Sequence, residues 1–185
     1  MFPLNLPNLL TVLRILLVPV LVVALLGHTS DGDVLAAVVF ALASATDFVD
    51  GYIARARGSV TTFGKLMDPL ADKLLIVAAL ISLVSLHRVA PWIAMVIIAR
   101  EIAITMLRLG ASFSGVVVPA GMSGKIKTCL QIAAVLALIA SRHHRLWVDV
   151  LVDVAVVATV LSGLDFIFGL RRKLAEADAL RRVPA

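Results

Sequence analysis

Long apolar runs alternate along this chain with short polar breaks. Six runs read as helices that cross a membrane: 8–26, 34–54, 66–86, 91–109, 125–140 and 147–170. Each approaches the roughly 20 residues that carry a helix across a bilayer. The breaks between them are rich in Gly, Asp, Ser and Pro, as in G-H-T-S-D-G-D, R-A-R-G-S, H-R-V-A-P and G-A-S-F-S-G, the residues that end helices and form turns. Strands are excluded, because an open strand edge leaves backbone groups unpaired in lipid. The pattern therefore predicts an all-α polytopic membrane protein of six transmembrane helices. It forms one domain over residues 1–185, with residues 171–185 as a basic cytoplasmic tail, either a short helix or a frayed end.

Composition sharpens this picture. The 185 residues are 61% hydrophobic, well above the roughly 45–50% of a soluble domain, and the mean hydropathy is +1.05. The net charge of +5 would suit nucleic acid on a soluble protein. Here too little surface is left for that partner, and anionic membrane lipids or anionic substrates fit better. A signal peptide would need a basic segment ahead of its apolar run. Residues 1–7 hold no Lys or Arg, and Arg14 lies inside the run, so a retained first helix is expected. Cys129 is the single cysteine; no intrachain disulfide can form, and a small core residue is expected.

Lys and Arg set the sidedness. Arg55, Arg57, Lys65 and Lys73 flank one break, Arg108, Lys125 and Lys127 another, and Arg171, Arg172, Lys173, Arg181 and Arg182 the tail. Only Arg88, Arg142 and Arg145 fall on the other side. By the positive-inside rule both termini face the cytoplasm of a bacterial-type plasma membrane. Trp92 and Trp147 then fit an aromatic belt, and His28, His87, His143 and His144 fall in non-cytoplasmic breaks without zinc-site spacing.

Four carboxylates interrupt the apolar background at the cytoplasmic ends of the second and third spans. Asp47 and Asp50 are three apart, Asp68 and Asp72 four apart, and on helices both spacings place the pair on one face. A short connection makes these helices antiparallel neighbours, so the two pairs can face each other. Ionised groups at membrane depth cost several kcal/mol each (~2.5–3.5 at a helix centre). A pair of Mg²⁺ or Mn²⁺ ions would neutralise four aspartates, an arrangement suited to phosphoryl chemistry. Gly51 and Ala54 are small, Arg55 lies one turn beyond Gly51, and Gly64 precedes the second pair; these would admit and pair with a phosphate. Pro69 falls in the first turn of the third span, where its missing N–H costs little. Two rival readings stand beside this one. The acids are solvated helix ends paired with Arg55, Arg57, Lys65 and Lys73, or they line the path of a divalent cation transporter.

The spacing D-x2-D-G-x2-A-R-x8-G-x3-D-x3-D, met at every specified position between Asp47 and Asp72, resembles the signature of the CDP-alcohol phosphatidyltransferases. That resemblance implies six transmembrane helices, a pair of divalent metals, a cytoplasmic-side site and a homodimer. It also implies transfer of a phosphatidyl or related group from a CDP-linked donor to an alcohol, with release of CMP. By the same resemblance Asp47, Asp50, Asp68 and Asp72 hold the metals, and Asp72 also accepts the proton of the attacking hydroxyl. Gly51, Arg55 and Gly64 line the CDP site, with Thr61 a further candidate.

Other stretches are similar to the branch of that family that makes phosphatidylglycerophosphate. They are L-P-N-L-L-T-V-L-R-I-L-L-V-P from Leu6, D-P-L-A-D-K from Asp68, A-R-E-I-A-I-T-M-L-R from Ala99 and G-K-I-K-T from Gly124. They imply CDP-diacylglycerol as donor and glycerol 3-phosphate as acceptor. Inositol phosphate, or phosphatidylglycerol as in cardiolipin synthesis, are the alternative acceptors. A dianionic acceptor needs a cationic pocket, and Arg100, Arg108, Lys125 and Lys127 are the candidates. Each has a plainer reading: Arg100 as an ion pair within the bundle, the others as positive-inside anchors. Asn8, Thr11 and Arg14 share a face of the first helix and either contact the donor nucleotide or cap and anchor that helix. Glu101, Asp149, Asp153 and Asp165 read as lone acids, Asp149 and Asp153 at the interface.

Overall fold

The computed structural model describes residues 6–27, 29, 31–57, 62–113, 121–141 and 145–181; within them it describes no side chains for 6–8, 47–57, 62–70, 72 and 176–181. The described residues form six helices: α1 Leu6–Leu26, α2 Gly32–Arg57, α3 Thr62–Ser85, α4 Pro91–Phe113, α5 Met122–Ala140 and α6 Leu146–Arg181. All six expected helices are present. α1, α5 and α6 contain segments long and apolar enough to cross a membrane: Leu9–Leu26, Met122–Ala140 and Leu146–Ala175. Among the residues whose side chains are described, α2 and α3 hold shorter apolar stretches, Gly32–Thr46 and Lys73–Ser85. α4 is a continuous helix whose apolar run carries Arg100, Glu101 and Arg108. The protein is an integral membrane protein by these helices.

The chain divides into two compact units. One comprises Met1–Ala94 with Val135–Val148, the other Met95–Ala134 with Asp149–Ala185. In the first, α1 packs against α2 and α3, which also meet each other. α1 buries Thr11, Arg14, Leu21, Ala24 and Leu25, while Leu9, Leu16 and Val23 stay exposed. α2 buries Ala36, Val39, Phe40 and Ala43, and α3 buries Ala71, Leu75, Ala79, Leu80 and Leu83, each at the three- and four-residue spacing of one helix face. The alanines matter because van der Waals packing, not water exclusion, joins helices in lipid, and small residues let backbones approach. At Gly32 a Cβ would lie 2.5 Å from the Ala24 carbonyl oxygen, so a larger residue there would force the backbone to shift.

The ends of these helices are closed by specific bonds. After α3 the Arg88 N–H donates to the Leu83 carbonyl (2.9 Å) and the His87 N–H to the Val84 carbonyl (3.0 Å). His87 takes φ 56°, so a histidine occupies the left-handed cap position usually filled by glycine. The Arg88 guanidinium donates to Asp33 Oδ1 on α2 (2.8 Å) and to the Ile139 carbonyl at the end of α5 (3.0 Å). α4 begins with Pro91 in its first turn, where proline's fixed φ suits a helix start.

Two expectations need correction. The final helix does not stop near Leu170 to leave a separate tail: α6 runs unbroken for 36 residues to Arg181, about 54 Å at 1.5 Å per residue. That exceeds a bilayer core of about 30 Å, so the basic segment continues the helix. Cys129 is exposed rather than buried. In lipid an apolar side chain gains nothing by turning inward, so a cysteine within an apolar run need not lie in the core.

Candidate active site

The acidic signature lies on two helices that pack together. Asp47 and Asp50 fall in the last turns of α2 and Asp68 and Asp72 in the first turns of α3. Residues 58–61 join them, and both helices lie against α1. Gly51, Arg55 and Gly64 belong to the same two helix ends. The side chains of these residues lie outside the described ones, as does Thr61 altogether. Among the described residues, no group of three or more His, Cys, Asp or Glu could hold a metal. On the donor set alone the signature suits a hard divalent cation, since every acid in it offers carboxylate oxygen and none offers sulfur or imidazole.

α1 contributes polar groups to the same unit. Thr11 and Arg14 are buried, Arg14 completely, and each interacts with another group. A guanidinium is tolerated at such a position only when it is paired or hydrogen-bonded. Asn8 lies outside the residues whose side chains are described.

In the second unit the structure brings together residues far apart in sequence. The Lys127 ammonium on α5 donates to Glu101 Oε1 on α4, and both side chains are almost fully buried. Arg100 Nη1 approaches the same carboxylate oxygen at 3.3 Å, and its Nη2 donates to Ser162 Oγ on α6 at 2.6 Å. Three helices are thus joined through one carboxylate and one guanidinium. Arg100 Nε is buried and finds no hydrogen-bond partner among the described residues; it lies beside Gly163, whose added Cβ would be 3.5 Å away. Gln131, one turn beyond Lys127 on α5, is buried with its Nε2 likewise unpartnered among the described residues. The threonines of these helices donate to their own helix backbone, Thr105 to the Glu101 carbonyl (2.7 Å), Thr128 to the Gly124 carbonyl (3.0 Å) and Thr159 to the Ala155 carbonyl (2.6 Å).

The four cationic candidates therefore divide. Arg100 and Lys127 meet through Glu101 inside the helices. Arg108 is exposed and stacks over the Phe166 ring on α6, 5.2 Å from its centroid, a cation–π contact. Lys125 is exposed near the start of α5. Three residues read as lone acids have partners, Asp149 and two whose partners lie within this unit. Glu101 holds Arg100 and Lys127, and Asp165 accepts from Ser123 Oγ at 2.5 Å. Ser162 and Gln131 were not among the sequence candidates, and a single serine or glutamine in an apolar helix is a weak signal without a known neighbour.

The chain matches the family model of the CDP-alcohol phosphatidyltransferases over residues 4–164. It is 44% identical over 182 residues to the CDP-diacylglycerol–glycerol-3-phosphate 3-phosphatidyltransferase of Bacillus subtilis (strain 168), covering 88% of this chain and 93% of that protein. It is 40% identical over 168 residues to a protein of Mycobacterium tuberculosis (strain H37Rv) described as a probable phosphatidylglycerophosphate synthase, covering 88% of this chain and 80% of that one. A CDP-diacylglycerol–glycerol-3-phosphate 3-phosphatidyltransferase of Rickettsia felis is 38% identical over 168 residues, 88% of this chain and 93% of its own. An intact acidic signature, six helices and these matches give one conclusion: the chain belongs to the CDP-alcohol phosphatidyltransferase family.

Proposed function

We propose that the protein transfers the phosphatidyl group of CDP-diacylglycerol to glycerol 3-phosphate, giving phosphatidylglycerophosphate and CMP. The observation that carries this reading is the complete acidic signature in a chain so similar to the Bacillus subtilis enzyme over nearly its whole length. All six helices lie in the bilayer; in α4 the charges of Arg100 and Glu101 pair with each other and with Lys127, as charged groups at membrane depth do. The termini and the site lie on the cytoplasmic side, as the Lys and Arg distribution favours. The enzyme works as a homodimer, as the family resemblance implies.

Donor recognition falls to the first unit. Gly51 and Gly64 leave room for CDP against the backbone, Arg55 pairs with its phosphates, and Asn8, Thr11 and Thr61 add hydrogen bonds. The acyl chains remain in lipid. Asp47, Asp50, Asp68 and Asp72 would hold a pair of Mg²⁺ or Mn²⁺ ions, which when bound offset the charge on the pyrophosphate and on departing CMP. Asp72 accepts the proton of the glycerol 3-phosphate hydroxyl. The hydroxyl oxygen forms its bond to the phosphorus that carries diacylglycerol, and the bond from that phosphorus to the oxygen of the CMP phosphate breaks. That oxygen leaves with the electron pair.

Acceptor recognition falls to the second unit. Arg100, Arg108, Lys125 and Lys127 supply cationic donors for the acceptor phosphate. The buried Nε of Arg100, without a partner among the described residues, supports this, because an unmet donor inside a membrane protein is costly until an acceptor fills it. The test is an acceptor panel: purified protein, CDP-diacylglycerol and Mg²⁺ with glycerol 3-phosphate, inositol phosphate or phosphatidylglycerol, the lipid products identified by mass. Phosphatidylglycerophosphate with stoichiometric CMP is expected. A product from inositol phosphate and none from glycerol 3-phosphate would overturn the acceptor assignment. Cation flux with no CMP from any acceptor would overturn the enzyme reading.

A further inference from the structure

We propose that Glu101 is a positioning residue for the acceptor phosphate: it fixes Arg100 and Lys127 as one cationic unit and thereby sets affinity for glycerol 3-phosphate. This rests on the proposed acceptor. Three observations lead to it. The first is that one carboxylate oxygen, Oε1, takes both cations, Lys127 from α5 and Arg100 from its own helix. Long lysine and arginine side chains lose much rotamer freedom when held in one geometry, so a buried counter-charge that holds both in advance removes that cost from substrate binding. The second is that Arg100 is held from its far side as well, by Ser162 Oγ on α6. Two anchors on different helices orient the planar guanidinium, which binds phosphate well only when its fork is aimed. The third is that the anchors leave donors over. Arg100 Nε, and Gln131 Nε2 one turn from Lys127, are buried without partners among the described residues. Both donors lie at or beside the two cations and can be met by an acceptor oxygen. Glu101 itself, being anionic, repels the phosphate and acts only through the cations that it holds.

The readout is a split between the two substrates. Initial rates are measured for the full-length protein in mixed micelles of detergent and lipid, varying glycerol 3-phosphate and CDP-diacylglycerol in turn, for wild type, Glu101→Gln and Ser162→Ala. Gln keeps the size of Glu and loses its charge. We expect the KM for glycerol 3-phosphate to rise about tenfold in Glu101→Gln, the scale of one charge-assisted hydrogen bond. In Ser162→Ala it rises about fivefold, the scale of a neutral one. The KM for CDP-diacylglycerol stays within about twofold in both, and kcat falls less than the acceptor KM rises. A merely structural role would lower the active fraction, and so kcat, without separating the two KM values. An unchanged acceptor KM in both variants, or a parallel rise for both substrates, overturns the proposal while leaving the acceptor assignment standing. Wild-type protein that does not use glycerol 3-phosphate overturns both. If Glu101→Gln yields no folded protein, Ser162→Ala decides by the same criteria.

Discussion

Replacing Lys127 by methionine keeps most of the side chain's length and apolar stem and deletes its charge. Lys127 and Glu101 are both almost completely buried, with side chains 4% and 3% exposed, so water cannot replace the lost ammonium. Removing one partner of a buried ion pair costs about 3–5 kcal/mol when the other charge is left alone. Glu101 is not left alone, because Arg100 Nη1 remains 3.3 Å from the same oxygen. That contact is long, so it recovers only part of the loss, and about 2–3 kcal/mol of destabilisation is expected. The double variant Glu101→Gln/Lys127→Met removes the stranded carboxylate as well. It should lose only about 1 kcal/mol and be more stable than Lys127→Met alone. The assay is reversible SDS titration of the purified protein in mixed micelles, followed by far-UV circular dichroism and arranged as a double-mutant cycle. A Lys127→Met midpoint equivalent to within about 0.5 kcal/mol of wild type would refute the reasoning. So would a double variant as unstable as the sum of the two single ones.

Asp72→Asn should abolish CMP release while the protein still binds CDP-diacylglycerol, measured by radiolabelled donor retention; normal turnover would remove the base assignment. Arg88→Met loses hydrogen bonds to Asp33 (2.8 Å) and to the Ile139 carbonyl (3.0 Å). It should cost about 1–3 kcal/mol in the same titration with both KM values unchanged, since its role is to tie α2 to the end of α5. Cys129→Ala should shift stability by less than about 0.5 kcal/mol, because the thiol is exposed; a loss of 2 kcal/mol or more would mean that it is packed in the core.

Helix number and rough placement were legible because apolar runs and polar breaks are local properties of the chain. Ends were less so. α4 runs to Phe113 and α5 starts at Met122, beyond the expected 91–109 and 125–140, because apolarity marks the bilayer while the helix continues past it. The same physics carries α6 through its basic segment to Arg181. The acidic signature was legible because its spacing lies within one pair of neighbouring helices. The polar seam of the second unit was not. Glu101 meets Lys127 across 26 residues and Arg100 meets Ser162 across 62, and such pairings depend on how helices pack. Arg100 and Glu101 stood out as charges in an apolar run, whereas Ser162 and Gln131 gained meaning only from what surrounds them. Cys129 was misplaced because the rule that apolar residues go inside is a rule about water.

Everything proposed for the reaction depends on the acidic ends of α2 and α3 acting together as a divalent-cation site. Manganese titration of the purified protein, read by electron paramagnetic resonance in the presence of CDP-diacylglycerol, measures that occupancy directly. About two ions bound per chain is the predicted result, with binding lost in Asp47→Asn and Asp68→Asn variants that remain folded. No bound manganese in the wild-type protein, or full binding in both variants, would contradict it.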